Sequence, residues 1–123
     1  MFLLSDVQQI IDDNYINEIN EIITSYVESL MGDELTGIFE FSVDFVECEV
    51  ISDAKVISSN EDRYDGQIEI SGNLEVGIKI TGYVHWDGED IEHGFTEKDV
   101  MAEFSMYCNE EKIEDFQIID IYL

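Results

Sequence analysis

Proline is absent from this chain of 123 residues, and cations nearly so. Against 30 Asp and Glu stand only Lys55, Arg63, Lys79, Lys98 and Lys112, a formal net charge of −25. The first 54 residues hold 13 acidic side chains and no basic one. Such a chain has no cationic patch to neutralise a phosphate backbone or an anionic membrane, which argues against direct binding to either. Cysteine is scarce too. Cys48 and Cys108 fall on the apolar parity of expected strands, so reduced, buried thiols are the default and a disulfide stays open. No apolar run approaches the ~20 residues of a membrane-spanning helix. The opening Met-Phe-Leu-Leu is short for a signal peptide and lacks a basic lead, so a cytoplasmic location is expected. Without proline, the blunting of edge strands falls to outward carboxylates.

What is present is a core. Apolar residues make up 45% of the chain, with seven Phe, six Tyr and one Trp. That is enough for one domain over residues 1–123, despite a charge that favours disorder. Self-repulsion of this size opposes compaction. Solubility needs a net charge of only about 2–8 in a small domain. The surplus points to a basic partner.

Residues 1–32 read as helical. Ser5 and Gln8 have capping-box spacing, and Leu3, Val7, Ile10 and Ile11 form an inner side. Tyr15, Ile16, Ile19, Ile22, Ile23, Tyr26, Val27 and Leu30 form a second stripe, displaced around the axis. Asp12-Asp13-Asn14 marks the break, giving either two helices or one kinked helix, and Gly32 suits the closing cap.

From Leu35 the period becomes two. Phe39, Phe41, Val43 and Phe45 alternate with Glu40, Ser42 and Asp44. The parity flips at Phe45-Val46, after which Val46, Cys48 and Val50 oppose Glu47 and Glu49, as at a β-bulge or where a strand changes partners. Further expectations are a turn at Ser52-Asp53, a loop over Ser58–Asp62, a strand from Tyr64 to Ser71 and a hairpin turn at Gly72-Asn73. An even-numbered stripe runs from Leu74 through Val84 to Trp86, and an acidic loop from Asp87 to Glu97. Val100, Ala102, Phe104, Met106 and Cys108 mark another strand, and residues 109–112 a turn. The segment Ile113–Leu123 is apolar on both parities, as in a central or helix-covered strand. Helices followed by strands give an α+β fold, with the helical segment packed on an antiparallel sheet of about five or six strands over residues 35–123.

No reaction is written here. No nucleophile elbow, ordered Ser-His-Asp set or glycine-rich phosphate loop is present, so a non-enzymatic protein without a cofactor is expected. His85 and His93 lack a CxxC partner for zinc. Asp87–His93 has oxygen ligands for calcium but not the EF-hand order, which leaves a calcium- or metal-binding module as a secondary reading.

The carboxylate rows remain. Alternate strand residues lie ~6.8 Å apart. Glu40, Asp44, Glu47 and Glu49 then form a ladder of charges, joined by Asp33, Glu34, Glu61, Asp62 and Asp65, with Glu21 and Glu28 on the outer helix face. A nucleic-acid strand presents one charge per ~3.4 Å. In this character, though in no motif, the chain resembles the small acidic DNA-mimic inhibitors of phages and mobile elements, including anti-CRISPR proteins. The resemblance implies a nucleic-acid-binding defence protein as target, such as a Cas nuclease or restriction enzyme. An immunity protein or antitoxin that neutralises a basic toxin shares the same electrostatics.

Overall fold

The structure, a computed structural model, describes residues 2–31, 33–39, 42–109 and 113–123. Among the described residues, three helices precede four strands: α1 (Leu4–Asn14), α2 (Ile16–Glu28), α3 (Asp33–Ile38), β1 (Phe45–Tyr64), β2 (Gln67–Trp86), β3 (Glu89–Cys108) and β4 (Ile113–Tyr122). The strands form one antiparallel meander in the order β1-β2-β3-β4. The α+β class holds, with four strands in place of five or six.

The count differs because β1, β2 and β3 are each 20 residues long, about four times the usual strand of 5–6. Asp65-Gly66 and Asp87-Gly88 make the two tight turns, with φ of 48° and 77° in the first and 50° and 79° in the second. Positive φ at both central residues is the type I′ geometry that matches strand twist, and Asp-Gly is its preferred sequence. The expected turns at Ser52-Asp53 and Gly72-Asn73, the Ser58–Asp62 loop and the unbroken Tyr64–Ser71 strand are therefore corrected. Gly72 lies inside β2 for a different reason. A Cβ there would sit 2.0 Å from the Ser58 carbonyl oxygen, so β1 passes too close for any side chain.

The core lies between the helices and one sheet face. Val7 and Ile11 of α1 and Ile19, Ile23 and Val27 of α2 are fully buried. So are Leu74, Val76, Ile78 and Ile80 of β2 and Val100, Ala102, Phe104 and Met106 of β3. Two helices form, meeting at Tyr15, rather than one kinked helix. Ser5 is not the cap. The cap is Leu3, two residues earlier, and its amide donates to the Asp6 carboxylate at 2.8 Å. That start leaves Leu3 exposed instead of inward. Gly32, expected as a cap, lies outside the described residues, as do the expected turn residues 110–112.

The expected strand start at Leu35 gives way to α3, and Phe39 packs under the sheet. Val43 and Phe39 lie against Gly82, where a Cβ would meet them at 2.7 and 3.3 Å. The parity flip at Phe45-Val46 thus marks where β1 begins, not a bulge within it. Phe41, from the same stripe, lies outside the described residues.

β4 is an edge strand with no fully buried residue, not a central one. Its pairing skips between Asp120 and Ile118 and between Gln117 and Glu114. Each skip flips the parity, so Ile113, Phe116, Ile118 and Ile121 all turn toward the core from mixed positions, while Ile119 is left exposed. Phe116 stacks on Tyr15 at 4.4 Å between ring centroids, tying this strand to the helix junction.

The opposite edge, β1, is fastened to the helices at three backbone groups. Gln8 accepts from the Val56 amide at 2.6 Å and donates to the Ala54 carbonyl at 2.9 Å. Glu28 accepts from the Cys48 amide at 3.1 Å. Among the described residues, no helix is long and apolar enough to cross a membrane.

Candidate functional site: the open sheet face

With α1 and α2 packed against one side of β1, the other face of the sheet carries no helix among the described residues. Odd-numbered residues of β2 point there, and the register assigns their neighbours. The carboxylates on this face are Glu47, Glu49 and Asp62 of β1, Glu69 and Glu75 of β2, Asp90, Glu92, Glu97, Asp99 and Glu103 of β3, and Glu114 and Asp120 of β4. Among the described residues, the cations sharing the face are Lys55 and Lys79, with His85 at one end. A strand of 20 residues at ~3.3 Å per residue spans roughly 66 Å.

The face is ordered by short-range contacts. Tyr83 stacks on Phe45 at 5.1 Å, and its hydroxyl donates to Glu47 at 3.1 Å. Partial burial first, and then Glu47, push the Tyr83 hydroxyl above its ordinary pKa. Tyr64 is held near Tyr107 and donates to Glu69 at 2.9 Å, which also raises its pKa. Lys79 lies over the Phe95 ring, 4.5 Å from its centroid. His85 and Asp90 pair at 3.0 Å beside the β2–β3 turn.

The residues singled out from the sequence separate into groups. Glu47, Glu49 and Asp62 share the open face and are exposed. Asp65 is exposed in the first tight turn. Asp44 precedes β1, and its carboxylate accepts from the His85 amide at 2.6 Å, anchoring the segment before the strand. Glu61 pairs with buried Ile70 and so turns to the opposite face, where it accepts from the Phe2 amide and from Arg63. The Phe2 amide first, and Arg63 with it, hold that carboxyl below its ordinary range. Glu34 is exposed on α3. Glu21 is exposed on α2, whereas Glu28 is committed to the β1 edge. Glu40 and the Asp33 side chain lie outside the described residues. The single-strand ladder is therefore replaced by a surface built across four strands. Its β2 members alternate visibly with the Leu74–Ile80 stripe. On β3, Asp90, Glu92 and Glu97 were hidden inside the expected acidic loop, whereas Glu103 alternates with the Val100–Cys108 stripe.

That loop is itself corrected. Only Asp87-Gly88 turns, and residues 89–97 continue as β3, which spreads Glu89, Asp90 and Glu92 along a strand. Among the described residues, no three His, Cys, Asp or Glu side chains converge to hold a metal ion. A cavity of about 560 Å³ opens at the β1–β2 turn, lined by Phe2, Arg63, Tyr64, Gly66, Gln67 and Cys108, among others. Burial pushes the Cys108 thiol above its ordinary pKa, the reverse of what a reactive thiolate needs. Cys48, also a free thiol, is pushed up to about 11, first by burial.

No protein-family model, curated protein or solved structure matches the chain.

Proposed function

We propose that the protein is a non-enzymatic acidic inhibitor that binds a basic nucleic-acid-binding protein, a Cas nuclease or another defence enzyme, and blocks its nucleic-acid site. The observation that carries this reading is the helix-free sheet face, with its dozen carboxylates against Lys55 and Lys79. Roughly 66 Å of face matches about two turns of duplex, at ~34 Å per turn. Its charges average about one per 5.5 Å, about a third of the duplex density of one per ~1.7 Å. Mimicry of this kind offers a groove a rigid set of acceptors rather than an equal charge. It competes through the arginines and lysines that the nucleic acid would use.

The test is a cleavage assay with a panel of Cas nucleases and restriction enzymes, run with and without the protein at 0.05 and 0.5 M salt. Inhibition that fades at the higher salt is expected, because screening shortens the reach of exposed charges. Inhibition of equal strength at both salts refutes charge mimicry, and loss of none of the cleavage activities refutes the target class.

A second reading is favoured by the aromatics of the same face. Tyr64, Tyr83, Tyr107 and Tyr122 stand among its carboxylates. Tyrosine is enriched at specific protein interfaces. An immunity protein or antitoxin for one basic toxin would use such a surface, and binding to a single cognate partner, with no inhibition of the nuclease panel, separates it from the first reading.

A further inference from the structure

The β2–β3 hairpin runs past the end of β1. Phe45, the first residue of β1, pairs with Tyr83, so residues 84–86 have a ladder partner only on β3, and the His85 amide is taken by the Asp44 carboxylate. On the core face Gly82 lies against Phe39 and Val43, whereas Ile91 and Trp86 further along the hairpin are exposed. Beyond Gly82, Val84 and Ile91 face each other across the hairpin and Trp86 opposes Glu89. Trp86 is the only tryptophan of the chain and is 71% exposed, although its parity belongs to the buried stripe. An indole in water forgoes the burial that so large a side chain offers. Asp87 and Glu89 flank it, and no cation lies between Lys79 and Lys98.

We infer that the Trp86 indole is the stacking seat for an arginine of the basic partner, with the turn carboxylates taking the guanidinium edges. This rests on the charge-mimic reading and names its anchor. Charge complementarity at the tip selects a cationic occupant. The planar guanidinium stacks on an indole and bonds carboxylates through its rim, whereas an ammonium offers a point charge. The sheet already holds one cation against a ring in this way, Lys79 on Phe95.

The probes are deca-arginine and deca-lysine peptides of equal charge, titrated into the full chain and into Trp86→Ala, with affinity read by calorimetry and the indole by its own emission. Saturating deca-arginine should change the emission and bind about fivefold tighter than deca-lysine, and Trp86→Ala should lose that preference while still binding both. The far-UV spectrum of Trp86→Ala reports that the exposed position leaves the fold intact. Equal affinities with unmoved emission overturn the seat while leaving charge mimicry standing. If neither peptide binds the unaltered chain, charge mimicry falls and the seat with it. A blue shift on concentrating the protein alone assigns the tip to a second copy and equally overturns the proposal.

Discussion

Replacing Gly72 by Ala tests the packing that holds β1, and with it Glu47, Glu49 and Asp62, in place. The new Cβ would lie 2.0 Å from the Ser58 oxygen and 2.9 Å from both Ser58 C and Ser59 Cα, all backbone atoms. Carbon contacts settle near 3.5 Å or more, so β1 must retreat by about 1.5 Å. The retreat strains the pairings of Ser58 with Asn73 and of Ser59 with Gly72. Two ladder hydrogen bonds at about 1 kcal/mol each, with about 1 kcal/mol of overpacking strain, outweigh the roughly 0.5–1 kcal/mol that Ala gains over Gly in a strand. The expected loss is about 2–3 kcal/mol, which lowers Tm by about 10 °C in a domain of this size. Far-UV circular dichroism melts measure it. Gly37→Ala is the matched control, since its Cβ meets nothing within 4 Å. It should raise Tm by a few degrees through helix propensity. A Gly72→Ala protein as stable as the parent would refute the close approach.

Gln8→Ala removes both side-chain bonds to the β1 edge; a loss of about 1–3 kcal/mol and faster hydrogen exchange at the Val56 amide are expected, and unchanged exchange would contradict the cap. Glu61 is depressed in the folded state by the Phe2 amide and Arg63. Its contribution is therefore present above the unfolded value of about 4.3 and lost as pH falls through the lower folded one. The Tm gap between the parent and Glu61→Gln should shrink below that pH, and a gap that ignores pH would rule this out. Cys48, pushed up to about 11, should resist iodoacetamide at pH 8 in the native state and react readily in urea; equal rates would show an accessible thiolate. Raising salt from about 0.01 to 0.5 M should increase Tm, because screening relieves self-repulsion, while weakening partner binding; a melting temperature that falls would show that net repulsion does not govern stability.

The legible parts of the fold were those where one periodicity runs uninterrupted. The stripe Leu74, Val76, Ile78, Ile80 and its β3 counterpart Val100, Ala102, Phe104, Met106 are buried as their alternation requires. The helix stripes through Ile19, Ile23 and Val27 are equally plain. Legibility failed where bulges shift parity. β1 changes register between Val50 and Ser52, between Ser52 and Lys55, and again between Val56 and Ser58. Each shift mimics a strand end, so one long strand read as two with turns and a loop. Asp65-Gly66 and Asp87-Gly88 carried the strongest turn signal, but polar neighbours on both sides disguised them as loop or strand. The open face was half visible. Its β2 residues sit opposite a clean apolar stripe, whereas Asp90, Glu92 and Glu97 were read as loop because the β3 alternation is broken near Gly94, which has φ of 122°. Trp86 was misplaced for a third reason. Parity gives the side of the sheet, and only the tertiary fold gives that Trp86 and Ile91 on that side are exposed.

The two borders of the sheet are unlike. Gln8 and Glu28 occupy three backbone groups along the outer border of β1, whereas β4 ends the meander and meets the helices through the Phe116–Tyr15 stack. A sheet extends into a fibre only when every added copy leaves a free border for the next. Each backbone group held by a helix side chain is one rung fewer for such a neighbour. The glutamine and glutamate that fasten the helices thus also take the Cys48, Ala54 and Val56 positions of β1 out of strand-to-strand pairing.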